Sequence, residues 1–437
     1  MKPIVAIVGR PNAGKSTLFN KIIGRKKAIV ADEPGVTRDL NFADAQDSGR
    51  VFTVVDTGGF ESGKTDYLLH QVKEQTRLAI EEADVIIFLM DGKSGVSADD
   101  AQLVGILRKS GQPVVYAVNK IDSVSQTSRL TDFYSLGIKE IFPVSAEQGT
   151  GVNELVEEVV KRLPASAPQA EEEGRIRVAI VGRPNVGKSS LLNKLVGKPR
   201  AIVSDVAGTT RDPVDTPFAR DGKKYLFVDT AGIRKKNRVS LLVENYCVME
   251  AIKTIGRCDA AILVMDAKAG TNTQDERLAG IIEDRKKNCI IAVNKWDLAE
   301  DKDTDIAKHV EGSIRRKMPF ISYAPVVFVS ALVGTRVSKI FDLVDGLVEK
   351  SSRRLKTSEL NKILEETAGR HHPPSYRGKE VKFYYAAQTG VSPPEFVIFT
   401  NHPEGVDEPY KRYMMNTLRE AAGMDGCPLK VYYRKRE

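Results

Sequence analysis

One string occurs twice in this chain: GRPNAGKS at residues 9–16 returns as GRPNVGKS at 182–189. Other short strings repeat in the same order. DTGG at 56–59 returns as DTAG at 229–232, NKID at 119–122 as NKWD at 294–297, and SAE at 145–147 as SAL at 330–332. Lys188 follows Lys15 by 173 residues and Asp229 follows Asp56 by the same 173; the offset is 175 at Asn294 and 185 at Ser330. A unit of that length is a whole domain and not one turn of a solenoid. Whatever this chain folds into, it folds into twice, with extra residues late in the second copy around 301–319.

Within each copy, short apolar runs alternate with helical patterns. Strands are expected at 4–8, 51–56, 85–91, 114–119 and 141–144, and again at 178–181, 225–229, 260–266, 289–294 and 325–329. Their unbroken hydrophobicity suits parallel strands buried on both faces. The fold class is therefore α/β, two tandem P-loop domains with doubly wound, mainly parallel sheets. Prolines, small residues and an acidic run at 164–174 predict a solvated linker between domains at 1–163 and 175–351. The remainder, 352–437, reads as a small α+β domain in α-β-β-α-β order, with helices at 357–368 and 407–421 and strands at 381–387, 396–400 and 429–433.

Gly-x-x-x-x-Gly-Lys-Ser after a strand and before a helix is a phosphate-binding loop. Its glycines let backbone amides close on an anion at a helix N-terminus. In the first copy the phosphate residues are Gly9, Arg10, Pro11, Asn12, Ala13, Gly14, Lys15, Ser16 and Thr17. In the second they are Gly182, Arg183, Pro184, Asn185, Val186, Gly187, Lys188, Ser189 and Ser190. Lys15 and Lys188 are expected to reach the β- and γ-phosphates. Mg²⁺ would be held by Ser16, Thr37 and Asp56, and by Ser189, Thr210 and Asp229. Thr57, Gly58 and Gly59, with Thr230, Ala231 and Gly232, complete the phosphate edge, where Gly59 and Gly232 suit an amide that senses the γ-phosphate.

Base selection falls to the NKxD strings. A carboxylate at Asp122 or Asp297 accepts from the two donors that guanine presents and adenine lacks, so the wrong purine leaves it unpaired. Lys120 and Lys295 would lie along the base. Asn119 with Ser145 and Ala146, and Asn294 with Ser330 and Ala331, finish each base pocket, the alanine amides facing guanine O6.

The rest of the composition narrows the setting. A formal charge of +8 leans toward a polyanionic partner. Residues 351–437 hold 15 Lys/Arg against 11 Asp/Glu, half the surplus in a fifth of the chain. Lys411, Arg412 and Arg419 on the expected second helix, the closing Tyr432, Tyr433, Arg434, Lys435 and Arg436, and the basic run at 234–238 are candidate RNA contacts. Gly423-Met424-Asp425-Gly426 reads better as a helix C-cap than as an RNA-gripping loop. Four cysteines (Cys247, Cys258, Cys289 and Cys427) contain no Cys-x-x-Cys pair, which points to reduced, buried thiols. A strand beginning at Ile4 leaves no room for a signal peptide, and no apolar run nears the ~20 residues that cross a bilayer, so a cytoplasmic protein is expected.

The order GxPNxGKS, T, DxxG, NKxD, SA followed by a small α+β domain resembles the EngA/Der family of bacterial tandem-domain ribosome-assembly GTPases. The resemblance implies a KH-like C-terminal domain and GTP-dependent maturation of the large ribosomal subunit, with its rRNA as partner; off the ribosome a monomer is expected. Phe60 and Ile233 follow DxxG where small signalling GTPases place a water-orienting glutamine. Similar GTPases with a P-loop asparagine use K⁺ near the β- and γ-phosphates, which would assign that ion to Asn12 and Asn185. Two other readings stand beside this one. A GTP-dependent RNA-modification factor would carry a cofactor-binding or cysteine-bearing domain, and none is evident. An RNA-binding module with one silent nucleotide site would need a degraded copy, whereas both copies keep every phosphate-site residue.

Overall fold

The computed structural model describes residues 2–24, 42–57, 76–77, 79–164, 174–197, 215–230, 243–298 and 304–436. Residues 165–173 of the linker expected at 164–174, the switch threonines Thr37 and Thr210, Gly58, Gly59, Phe60, Ala231, Gly232, Ile233 and the basic run at 234–238 lie outside the described residues. The chain forms two compact units, one mainly from residues 1–170 and one mainly from 171–437.

The first unit holds a six-stranded sheet. Its strands are β1 (Ile4–Val8), β2 (Phe42–Asp47), β3 (Arg50–Asp56), β4 (Val85–Asp91), β5 (Val114–Asn119) and β6 (Phe142–Pro143), in the order β2-β3-β1-β4-β5-β6. All pairings are parallel except β2 with β3. Every residue of β1 and β4 is buried, as strands covered on both faces by helices must be. The helices are α1 (Lys15–Gly24), α2 (Ala98–Ser110), the short α3 (Leu130–Tyr134) and α4 (Val152–Arg162). Ser97 and Asp100 close a capping box at the start of α2, and Gly111 at φ 72° ends it.

The second unit repeats this plan. Its strands are β7 (Arg175–Val181), β8 (Thr216–Arg220), β9 (Lys223–Val228), β10 (Ala260–Asp266), β11 (Asn288–Asn294) and β12 (Val326–Phe328), in the order β8-β9-β7-β10-β11-β12. Again only the edge strand, β8, runs antiparallel. The helices are α5 (Lys188–Val196), α6 (Val243–Arg257), α7 (Thr273–Asp284), α8 (Thr304–Lys317) and α9 (Lys339–Ser351).

The chain then builds α10 (Thr357–Arg370), β13 (Phe383–Gly390), β14 (Glu395–Thr400), α11 (Glu408–Ala421) and β15 (Lys430–Lys435), the α-β-β-α-β order expected. One continuous core joins this domain to the second sheet, running from Ile262 and Val327 through Leu347 and Leu360 to Phe396 and Met414. Gly423 sits at φ 63°, its amide donates to the Glu420 carbonyl, and the Met424 amide donates to Arg419. That paired bonding is a Schellman cap, so the Gly-x-x-Gly string ends a helix.

Candidate functional site

Each GRPNxGKS string connects a buried central strand, β1 or β7, to the helix that follows it. The loop curls through left-handed backbone at Asn12 (φ 64°) and Gly14 (φ 93°), and at Asn185 (φ 63°) and Gly187 (φ 97°). A Cβ on Gly14 or Gly187 would collide with the Asn119 or Asn294 side-chain amide, so these positions need glycine on two counts. Buried Ala13 and Val186 pin the loop to the core, while Pro11 is half-buried and Pro184 exposed. Ser16 and Thr17, like Ser189 and Ser190, stand exposed in the first turns of α1 and α5.

The loop lysines are seated on loop carbonyls. Lys15 Nζ donates to Gly9 O at 2.9 Å and Arg10 O at 2.8 Å; Lys188 Nζ donates to Gly182 O at 2.7 Å and Arg183 O at 2.6 Å. In the first copy the Ser16 hydroxyl donates to Asp56 Oδ2 at 2.5 Å. Asp56 is buried at the end of β3, so a hydroxyl and a carboxylate converge beside the lysine. Two hard oxygens in contact suit Mg²⁺.

The base side is built around asparagine. Asn119 Nδ2 donates to Ala13 O and Asn294 Nδ2 to Val186 O, both at 2.8 Å; the Oδ1 atoms accept the Ala146 and Ala331 amides, both at 2.9 Å. Each asparagine thus ties the phosphate loop to the loop after β6 or β12. Lys120 and Lys295 take left-handed backbone, at φ 66° and 63°, and pair with Asp91 and Asp266 at 2.6 Å. Burial pushes the Asp91 carboxyl up, but the Lys120 ammonium and the amides of Lys93 and Ser94 outweigh it and hold the group below its ordinary range. Asp266 is held low in the same way by Lys295 and the amides of Ala269 and Lys268. Asp122 accepts from Ser145 Oγ at 2.8 Å and faces Lys93 Nζ at 3.4 Å, which lowers its pKa.

Comparison with known proteins gives this architecture a family. The description "50S ribosome-binding GTPase" matches residues 4–120 and again 177–295, and "KH-domain-like of EngA bacterial GTPase enzymes, C-terminal" matches 354–434. GTPase Der of Geotalea daltonii is 46% identical over 437 residues, covering 100% of this chain and 99% of that one. This chain belongs to the Der (EngA) family of GTPases. GTPase Der of Geobacter metallireducens is 48% identical over 438 residues, with 100% of this chain and 99% of that one covered. Among solved structures, Aquifex aeolicus Era bound to GDP and AlF₄⁻ aligns at 24% identity and a TM-score of 0.32, over 60% of this chain and 92% of that chain. The protein is a GTP-binding, GTP-hydrolysing enzyme of a ribosome-associated family, with two GTPase domains and a KH-like domain. No described helix is long and apolar enough to cross a membrane.

Against the Der pattern, several side chains do other work than the sequence suggested. Arg10 and Arg183 turn away from the loop mouth to pair with Asp100 and Asp275 at 2.9 and 3.0 Å. The Thr57 hydroxyl donates to Ile7 O at 2.8 Å, and Thr230 meets the Thr216 hydroxyl at 2.7 Å. The Ala146 and Ala331 amides, expected to face guanine O6, donate to the Asn119 and Asn294 side chains. Arg419 is no RNA contact: it is 6% exposed, and its guanidinium lies 4.4 Å above the Tyr323 ring. Lys411 pairs with Glu408 at 2.6 Å, and Tyr433 packs against the shared core, whereas Arg434, Lys435 and Arg436 are exposed. Cys258, Cys289 and Cys427 are buried free thiols, and burial pushes Cys258 up to about 12 and Cys427 to about 11. Sequence reasoning passed over Asp91 and Asp266, although they recur at the 175 offset of Asn119 and Asn294 and are found by the same duplication.

Proposed function

We propose that each GTPase domain binds and hydrolyses Mg²⁺–GTP, and that nucleotide state controls an RNA-contacting C-terminal domain during assembly of the large ribosomal subunit. The carrying observation is the asparagine bridge, built identically in both copies, which sets a phosphate loop and a purine-selecting carboxylate at fixed separation. Ser16 and Asp56, with Thr37, would hold Mg²⁺ in the first pocket; Ser189, Asp229 and Thr210 would do so in the second. When bound, the ion would stabilise negative charge that develops on the triphosphate. Lys15 and Lys188 place an ammonium at the same oxygens, and Gly59 and Gly232 would report the γ-phosphate.

Asn12 and Asn185 are the K⁺ candidates. Their side chains are exposed and make no hydrogen bond to any described residue, which leaves them available to an ion. Domains at 1–163, 175–351 and 352–437 with a linker at 164–174, a cytoplasmic location, rRNA contact through exposed Arg434, Lys435 and Arg436, and a monomer off the ribosome complete the proposal.

The test changes Lys15 and Lys188 to alanine one at a time, then measures GTP turnover and co-sedimentation with large subunits in GDP and in a non-hydrolysable GTP analogue. Each change should remove one pocket's turnover, and nucleotide state should alter sedimentation. Binding of guanosine nucleotides no tighter than adenosine nucleotides would refute the scheme. A second reading, in which the second pocket binds nucleotide but turns it over slowly, is favoured by Asp229. Its carboxylate accepts from Thr254 at 3.0 Å, and among the described residues no hydrogen bond joins it to Ser189.

A further inference from the structure

The buried ion pair behind each phosphate loop is the strongest feature that the proposed activity leaves unused. Asp100 and Asp275 are the third residues of α2 and α7, and both are 0% exposed. One oxygen of each serves its own helix: Asp100 Oδ2 accepts the Ser97 amide at 3.1 Å, and Asp275 Oδ2 accepts the Asn272 amide at 3.2 Å. A helix cap explains that oxygen. It explains neither complete burial nor the second oxygen, which faces Arg10 Nε at 2.9 Å in one copy and Arg183 Nε at 3.0 Å in the other.

The same guanidinium is fixed at a second point. Arg10 donates to Gly95 O at 3.2 Å and Arg183 to Gly270 O at 2.9 Å, and both glycines are left-handed, at φ 70° and 65°. An arginine beside a triphosphate pocket would ordinarily be read as a phosphate ligand. Here the fork is held at both ends on the far side of the loop. What it carries is backbone: the carbonyls of Arg10 and Arg183 are the ones on which Lys15 and Lys188 rest. The chain of contacts runs from buried carboxylate to guanidinium to loop carbonyl to ammonium in both copies; its first link is a hydrogen-bonded ion pair in the second copy and an ion pair without hydrogen-bond geometry in the first.

We infer that Asp100 and Asp275 are positioning residues for GTP binding and hydrolysis. Each clamps its phosphate loop through the loop arginine and so sets where the catalytic lysine sits. The inference rests on the reading that both loops hold GTP. The cost of burying a carboxylate is met by a partner in the loop itself, so the loop cannot leave without stranding a charge. Burial nevertheless raises the pKa of both aspartates despite the arginines.

The experiment uses the full chain with the second pocket silenced by Lys188→Ala, and reads the first with fluorescent GDP and steady-state GTP turnover. Arg10→Lys keeps the charge opposite Asp100 but loses the two-point fork, so the fold is retained while the position is not. Asp100→Asn removes the charge and keeps an acceptor for the cap. Each single change is expected to weaken GDP binding about tenfold, a size typical of residues that orient a ligand from behind, and to lower kcat as well. The double variant should be no worse than the worse single, because both break one linkage. Asp275→Asn and Arg183→Lys in a Lys15→Ala background should give the mirror result. Unchanged affinity and kcat with only a lower Tm would overturn the inference and leave a helix brace; additive losses in the double variant would also overturn it. If the parent itself bound no guanine nucleotide, it is the proposed GTP site that fails, an outcome distinct from both.

Discussion

The two GTPase domains share one plan and differ at the aspartate proposed for Mg²⁺. In the first, Asp56 accepts from the Ser16 hydroxyl. In the second, Asp229 takes left-handed backbone at φ 55°, its amide donates to Asp215 Oδ1 at 2.9 Å, and its carboxylate is held by Thr254. Asp215 is itself paired with Arg257, from the same helix as Thr254. The first copy has Phe42 and Ala43 where the second has Asp215 and Thr216, so it has no counterpart of this polar clamp. Left-handed backbone at a non-glycine costs on the order of 1 kcal/mol or more, and the Asp215 and Thr254 bonds offset it. The two copies therefore keep the same phosphate loop and differ in how the following aspartate is held: by Ser16 in one, by Thr254 in the other.

The base pockets differ in the same direction. Asp122 is covered by Lys93 and Ser145, whereas Asp297 has no hydrogen bond or ion pair to any described residue. Exposed Leu298 and Leu332 flank the second pocket's motifs where the first has Ser123 and Glu147. In the first copy Asp56 meets the loop serine and Asp122 is paired; in the second Asp229 is held by Thr254 and Asp297 has no pair among the described residues.

The harshest test of that contrast is removal of the selecting carboxylates. Asp122→Ala and Asp297→Ala each delete an acceptor of two charge-assisted bonds, roughly 3–6 kcal/mol in sum. GDP affinity at the altered pocket should fall by two orders of magnitude or more in a fluorescent-nucleotide titration. Next, Thr254→Val should free Asp229 and lower the Mg²⁺ concentration for half-maximal GTP turnover at the second pocket by about tenfold, one bond to a charged group. A Mg²⁺ titration showing no change would erase the distinction. Smaller still, Lys93→Ala should tighten GDP at the first pocket by about two- to fivefold, the worth of an exposed ion pair, and the gain should vanish in high salt. The least effect is expected from pH. Asp91 and Asp266 both have lowered folded-state pKa values, so the lysine anchors are fully present above the unfolded value of about 3.9 and are lost only as pH falls through the folded values. GDP binding at the two pockets should stay parallel between pH 8 and 5, and divergence there would mean the anchors are not equivalent.

Much of this was legible in the residues. The central strands β1, β4 and β10 announced themselves as unbroken apolar runs, and duplication fixed the motifs that share a pocket. The antiparallel edge strands β2 and β8 were not foreseen. Phe42-Ala-Asp-Ala-Gln-Asp47 and Thr216-Pro-Phe-Ala-Arg220 are mixed in polarity, and a proline is admitted at an edge because one side of the ladder is unpaired. Arg419 was misread because a basic residue on an amphipathic helix looks solvent-facing until the neighbour that covers it, Tyr323, is placed. The position of Asp229 depends on Asp215, Thr254 and Arg257, whose convergence no local spacing encodes.

The buried Arg419 has a mechanical consequence. Its guanidinium holds the Cys427 carbonyl on one side and the Tyr323 ring on the other, and the Tyr323 hydroxyl is bound to Glu283. From Tyr323 the chain passes through Pro325 and the three residues of β12 to Ser330 and Ala331, whose amide meets the Asn294 side chain. The last helix and the loop that carries Ala331 are thus joined by two side-chain contacts and a few residues of chain, so a displacement of one is carried to the other.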